Sequence, residues 1–211
     1  MQAHLPLHNE EPNKQIAQLH SILSQIDHIY LIGITYDGKV IKNKNNLYIN
    51  QVYYDSQNYR VPFDFPCQSP AQTKRYHVGM CDSIAALIAY DCQQVGIPTA
   101  AFVTNVIGKP LDVSSHCTIF CQVAAGWIRG DMSFEYQEDL GILKFSPTLK
   151  GALDLYTVWC KQELQAKRGI RLYQYDAADP VYWGMDFVTM MSTICRKENL
   201  TYIGNNNDRQ N

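Results

Sequence analysis

The sequence predicts an α+β domain in which a helix bearing a cysteine at its N-terminus packs on an antiparallel sheet. Three observations predict it. Cys81, Ile84, Ala85, Ile88, Cys92 and Val95 recur at three- and four-residue steps, the period of a helix buried along one face. Residues 99–107 and 116–124 read as strands, the second alternating between two faces, and Ala125-Gly126 turns the chain into a third strand, Trp127 to Asp131. A chain of 211 residues with 46% hydrophobic content is long enough to bury one full core. A single domain over residues 1–204 is therefore expected, with the motif-bearing part at 76–134 and a disordered polar tail at 205–211.

Taken in order, Ile16, Leu19, Ile22, Leu23 and Ile26 give residues 13–26 one sticky helical face, which should dock on the domain. Residues 29–54 are β-rich, with an Asp37-Gly38 turn and the run LYINQVYY. Residues 55–75 carry Pro62, Pro66 and Pro70 and read as an irregular connection, in which Cys67 is expected to be exposed. The helix over 82–94 ends at Gly96-Ile97-Pro98, because glycine suits a left-handed cap and proline cannot continue the ladder. In the following hairpin His116, Thr118, Phe120 and Gln122 share one face, while Cys117, Ile119, Cys121 and Val123 share the other. Ser146-Pro147 reads as an N-cap with proline at the first helical position, opening a helix to Ala166. Asp179-Pro180 repeats the signal for a helix through Met191 toward Arg196, with Trp183, Phe187, Met190, Met191 and Ile194 as its buried stripe.

Composition excludes several classes of function. With 18 Lys and Arg against 20 Asp and Glu, no basic field draws nucleic acid or an anionic membrane. The first residues, MQAHLPLHNEEPNK, have neither the basic nor the apolar region of a secretory signal, and no apolar run reaches transmembrane length. Seven cysteines, an odd and scattered set, fit reduced thiols in a cytoplasmic protein better than a disulfide scaffold. His116, Cys117 and Cys121 lack the companions of a four-ligand site, so no metal and no cofactor is expected. Cys92, Cys117, Cys121, Cys160 and Cys195 read instead as small core hydrophobes.

The chemistry rests on Cys81, His116 and Asp131. An ordinary thiol, with a pKa of about 8.5, is mostly protonated at neutral pH, but a helix N-terminus and a nearby imidazolium favour the thiolate. Cys81 has the first by placement, and its own backbone N–H can donate to an oxyanion. His116 follows 35 residues later as base, and Asp131 a further 15 on as the carboxylate that orients the ring. The second spacing fits one hairpin, which brings both groups to the same open end.

The stretch GMCDSIAALIAYDCQQVGIPTAAFVTNV, followed by HCTIFCQVAAGWIRGDMSF, resembles the core of the transglutaminase-like superfamily: G-x-C, a helix, Gly-Ile-Pro, a strand, then His and Asp on a hairpin. The resemblance covers residues 79–134, about a quarter of the chain. It implies a papain-like fold and a Cys-His-Asp triad at Cys81, His116 and Asp131. Its members include protein cross-linkers, glutamine deamidases, proteases and glycan-releasing amidases, and bacterial effectors delivered into host cells also draw on this fold. Two departures stand out. Met132-Ser133 follows the carboxylate where many relatives have Pro-Thr, and no tryptophan precedes Cys81 to serve as oxyanion donor. Gln72, Tyr76 and His77 are the candidate substitutes. No acidic calcium loop is present in the sequence, so calcium dependence is not expected.

The leading expectation is an enzyme that forms a thioester with a carboxamide, a protein glutamine side chain above all, and passes the acyl group to an amine or to water. A cysteine protease or amidase with the same triad is the second, and a catalytically inactive protein-binding module, using a surface rich in the chain's 14 tyrosines, the third. The expected partner is a protein or peptide substrate, and the sequence leaves the oligomeric state open.

Overall fold

The computed structural model describes residues 10–28, 30–31, 33–34, 40–41, 66–76, 78–109 and 115–205. The Asp37-Gly38 turn, the LYINQVYY run, His77 and the tail beyond Asn205 lie outside them.

Helix α1 (Glu10–Leu23) buries Leu19, Ile22 and Leu23, then tightens into a 3-10 turn, Ser24–His28, that buries Ile26. The predicted sticky face is therefore present, but its last turn is not α-helical. Three short strands follow, β1 (Tyr30–Leu31), β2 (Gly33–Ile34) and β3 (Val40–Ile41). Strands β2 and β3 pair antiparallel, and β1 pairs in parallel with β4 (Val78–Gly79).

Between them lies α2 (Pro70–Tyr76), a helix where an irregular connection was expected. Its local cause is a capping box. The Ser69 hydroxyl accepts from Gln72 N at 3.3 Å, and Gln72 Oε1 accepts from Ser69 N at 3.0 Å, with Pro70 preset for the first helical position. Cys67, expected to be exposed, is 1% exposed. The correction is tertiary: Cys67 N donates to the Met185 carbonyl and Gly184 N to the Cys67 carbonyl, so a distant loop is laid over it.

Helix α3 (Cys81–Gln94) starts one residue earlier than predicted, at the cysteine itself. Gly96, at φ +72°, closes it: Gly96 N donates to Gln93 O and Ile97 N to Cys92 O, the paired bonds of a left-handed helix stop. Strands β5 (Thr99–Val106), β6 (Ser115–Val123) and β7 (Gly126–Arg129) follow, each within a residue or two of the predicted span. Helix α4 (Phe134–Asp139) is capped by Ser133, whose hydroxyl accepts from Tyr136 N. Helix α5 (Leu149–Glu163) is capped by Thr148, not by Ser146 as expected. Ser146 is otherwise engaged, since its backbone exchanges hydrogen bonds of 2.7 and 2.8 Å with Trp127 and delays the helix by two residues.

Two strands were missed, β8 (Gly169–Tyr175) and β9 (Leu200–Asn205). They complete a five-stranded antiparallel sheet in the order β7-β6-β5-β8-β9, with β5 at its centre. The helix expected from Asp179 is also corrected. Asp179 caps only a 3-10 turn, Pro180–Tyr182, and α6 (Phe187–Ile194) begins anew at Asp186. The interruption coincides with Gly184 at φ +85° and the backbone pairing to Cys67, bonds a continuous helix cannot make. Phe187, Met190, Met191 and Ile194 form the buried stripe as expected, whereas Trp183 precedes the helix.

The sheet is covered on both faces. Ala101, Val103, Cys117, Ile119 and Ile128 face α1, α3 and α6, while Ala100, Phe102, Phe120 and Leu172 face α5. The alternation predicted for β6 is therefore a division between two cores. Cys92, Cys117, Cys121 and Cys160 are fully buried, in keeping with their reading as hydrophobes, but Cys195 is only half-buried. Among the described residues, no helix is long and apolar enough to cross a membrane.

Candidate active site

Cys81 occupies the first position of α3, where a helix leaves its opening N–H groups without intrahelical acceptors. Its sulfur accepts a hydrogen bond from the backbone N–H of Cys117 at 3.4 Å. That donor belongs to β6, the strand that carries His116. Antiparallel pairing with β5 fixes the height of His116 opposite Thr104, and the hairpin to β7 returns the chain so that Asp131 lies just past its end.

His116 Nε2 lies 2.9 Å from Asp131 Oδ2. With Nε2 so engaged, Nδ1 is the ring nitrogen left for the Cys81 thiol, which lies close enough for each group to shift the other's ionisation. The structure thus brings all three predicted residues together. Asp131 Oδ1 accepts from Thr118 Oγ1 at 2.8 Å and from Arg129 Nε at 2.8 Å, and Oδ2 accepts from Arg129 Nη2 at 2.6 Å. Arg129 Nη2 also lies 3.2 Å from His116 Nε2. That contact is not a hydrogen bond, because a ring nitrogen donating to the carboxylate has no lone pair for a second donor.

The electrostatics follow from these contacts. A hydrogen bond from the Cys117 thiol lowers the Cys81 pKa most, burial opposes it, and the His116 charge and hydrogen bond carry it well below the ordinary thiol value. Cys117 moves the opposite way, since it donates to Cys81, is buried, and has no imidazolium of its own. Burial alone drives His116 down, but the Cys81 thiolate and the bond to Asp131 outweigh it and raise His116 to about 9. Burial pushes Asp131 up, and the Arg129 guanidinium with the bonds from His116 and Arg129 more than reverses this, holding the carboxyl well below its usual range. These directions favour a thiolate beside an imidazolium, with an ionised carboxylate behind them.

The exit of β7 is rigid. A Cβ on Gly130 would sit 2.7 Å from Cys121 Sγ, so only glycine lets the chain pass this close to the core. Gln137 Nε2 donates to the carbonyls of Arg129 and Met132, clamping the turn that carries Asp131. Met132-Ser133, the departure from Pro-Thr, opens the Ser133-capped α4.

Of the oxyanion candidates, Gln72 spends its side-chain oxygen on Ser69 in the capping box of α2, which leaves its amide nitrogen as the group that could donate. The Tyr76 side chain and His77 lie outside the described residues. Arg129, Thr118 and Trp159 escaped the sequence reading, although a partial signal existed. Arg129 and Asp131 alternate onto one face, as do Thr118 and His116. Nothing local points to Trp159, which comes from α5, its ring 6.1 Å from that of His116.

Trp159 and Arg129 also line a cavity of about 200 Å³, together with Tyr156, Ile128, Ile142, Leu155 and Val158. Cys81 is not among its walls. Among the described residues, no group of three or more His, Cys, Asp or Glu side chains could hold a metal ion.

No family model matches the chain, and no curated protein or solved structure matches it either. Fold and site define an α+β domain, built on a five-stranded antiparallel sheet, with an imidazole hydrogen-bonded to a carboxylate and electrostatically paired with a thiol at a helix start.

Proposed function

We propose that this chain is a cysteine-nucleophile acyl-transfer enzyme with a transglutaminase-like, papain-related core, acting on a carboxamide and above all on protein glutamine side chains. The observation that carries the reading is the convergence of Cys81, His116 and Asp131, with the imidazole hydrogen-bonded to the carboxylate, the thiol at a helix N-terminus and its ionised form favoured. A buried structural cysteine has no use for an imidazole oriented by a carboxylate. The other described thiols with a resolved shift are all raised, so one sulfur has been singled out.

In this mechanism the Cys81 thiolate attacks the carboxamide carbon and the carbonyl electrons move to oxygen. The Cys81 N–H, at the start of α3, donates to that oxyanion. The carbon–nitrogen bond then breaks, and His116 gives its proton to the departing nitrogen, which leaves as ammonia. The thioester remains with a neutral imidazole. His116 next takes a proton from water or a primary amine as either attacks the thioester, giving a glutamate or an amide-linked product and restoring the thiolate. Asp131 keeps the ring in one tautomer throughout and stabilises its cation.

The test is incubation with a glutamine-rich protein and a labelled primary amine. Ammonia is expected, with incorporated label or the mass shift of deamidation, and Cys81→Ala should give neither. Peptide fragments without ammonia would transfer the same triad to a protease, and an inert Cys81 would leave only a binding module.

A further inference from the structure

We infer that Arg129 is a positioning residue of this site that also sets the basicity of His116, an inference that rests on the triad reading above. Its guanidinium meets Asp131 as a fork, Nε to Oδ1 at 2.8 Å and Nη2 to Oδ2 at 2.6 Å. With Thr118 and His116 the carboxylate accepts four hydrogen bonds, as many as its lone pairs allow. Its plane is therefore fixed, and with it the direction from which it holds the imidazole.

The guanidinium is itself held. It lies 3.9 Å from the Trp159 ring centre and 4.9 Å from that of Tyr156, two rings stacked on each other. Tyr156 is anchored in turn by a 2.8 Å hydrogen bond to Thr104 on β5. Arg129 is 8% exposed, so its charge is little screened by solvent.

An ionised carboxylate alone beside an imidazolium in a buried site would hold that proton tightly and make His116 a poor acid. A buried cation beside the same carboxylate offsets the attraction and brings the imidazole nearer the pH at which it must both give and take a proton. A lysine can supply the charge but not the planar fork, so charge and orientation are separable.

The experiment is an NMR titration of ¹³C-labelled histidine, with His116 assigned by its absence in His116→Ala, run beside the amide turnover assay. Arg129→Lys should leave the His116 pKa within about 0.3 of the parent while turnover falls at least about tenfold. Arg129→Gln should raise the His116 pKa by about half a unit or more. Should Arg129→Gln not fold, the double variant Arg129→Gln with Asp131→Asn carries the same test, its His116 titrating about half a unit or more above that of Asp131→Asn alone. A folded Arg129→Lys with parental turnover, or removal of the cation with no change in the titration, overturns the inference. The titration needs no substrate, so a parent protein that titrates as expected but releases no ammonia indicts the proposed reaction and not Arg129.

Discussion

The backbone N–H of Cys117 donates to the sulfur of Cys81 across 3.4 Å, so the residue immediately after His116 holds the Cys81 thiol. Thiol and imidazole are thereby referenced to one strand. Relative motion of α3 and β6 would disturb that hydrogen bond and the electrostatic pairing of Cys81 with His116 together.

Cys81 should be alkylated first. Its pKa is lowered by the Cys117 thiol hydrogen bond and by His116, whereas Cys195, the other half-buried thiol, is raised by burial to about 11. Iodoacetamide at pH 6, followed by peptide mass mapping, is expected to label Cys81 roughly tenfold or more ahead of any other cysteine. The rate should change little between pH 6 and 8, where an ordinary thiol gains about tenfold per unit. Uniform labelling, or a rate that climbs like that of a free thiol, contradicts the ion pair.

Removing the base and removing its orienting carboxylate should differ. His116→Ala is expected to abolish turnover with the fold retained, because the imidazole is 24% exposed and carries little of the core. The raised folded pKa of His116 means that its contribution to stability is present below about 6.5 and lost as pH rises through about 9. Urea unfolding should therefore separate parent from His116→Ala more at pH 6 than at pH 10. Asp131→Asn should leave residual turnover, since Asn still orients a ring, yet cost about 3–5 kcal/mol because it strands the buried Arg129 cation. Equal stability of parent and Asp131→Asn would show that the Arg129 pair is not the buried interaction described.

Asp82 is a built-in destabiliser. It is fully buried beside Cys81, only its Oδ1 is hydrogen-bonded, by Ser83, and Oδ2 has no partner. Burial and the Cys81 charge raise its pKa to about 7. A carboxyl raised in the folded state favours folding below its unfolded pKa near 4 and loses that advantage as pH rises through 7. Asp82→Asn keeps an oxygen for Ser83 and removes the charge, so it should stabilise the protein by about 1–3 kcal/mol at pH 8 and by little at about pH 3.5, below the unfolded pKa. Denaturant midpoints at the two pH values decide it, and an equal shift at both excludes ionisation as the cause.

Much of the site could be read from the chain because its signals are local. The three- and four-residue spacing from Cys81 to Val95, the Gly96 stop and the two-face alternation of β6 depend on backbone geometry within a few residues. Those signals placed Cys81 at a helix start and His116 and Asp131 on one hairpin. The capping box Ser69-Pro70-Ala71-Gln72 is equally local, but the surrounding prolines mask it in a stretch that reads as an irregular connection.

What the sequence by itself determined was thus the order and spacing of short-range elements and the thiol, imidazole and carboxylate they carry. Tertiary structure decided the rest. Strands β8 and β9 become strands by pairing with β5 and with each other, across separations that local propensity does not span. Cys67 is buried, and the helix expected from Asp179 is broken, because two segments more than a hundred residues apart exchange backbone hydrogen bonds. Arg129 acquires its meaning in the same way: its fork on Asp131 is a local alternation, but the Trp159 and Tyr156 rings that hold it arrive from α5 only when that helix closes the second face of the sheet.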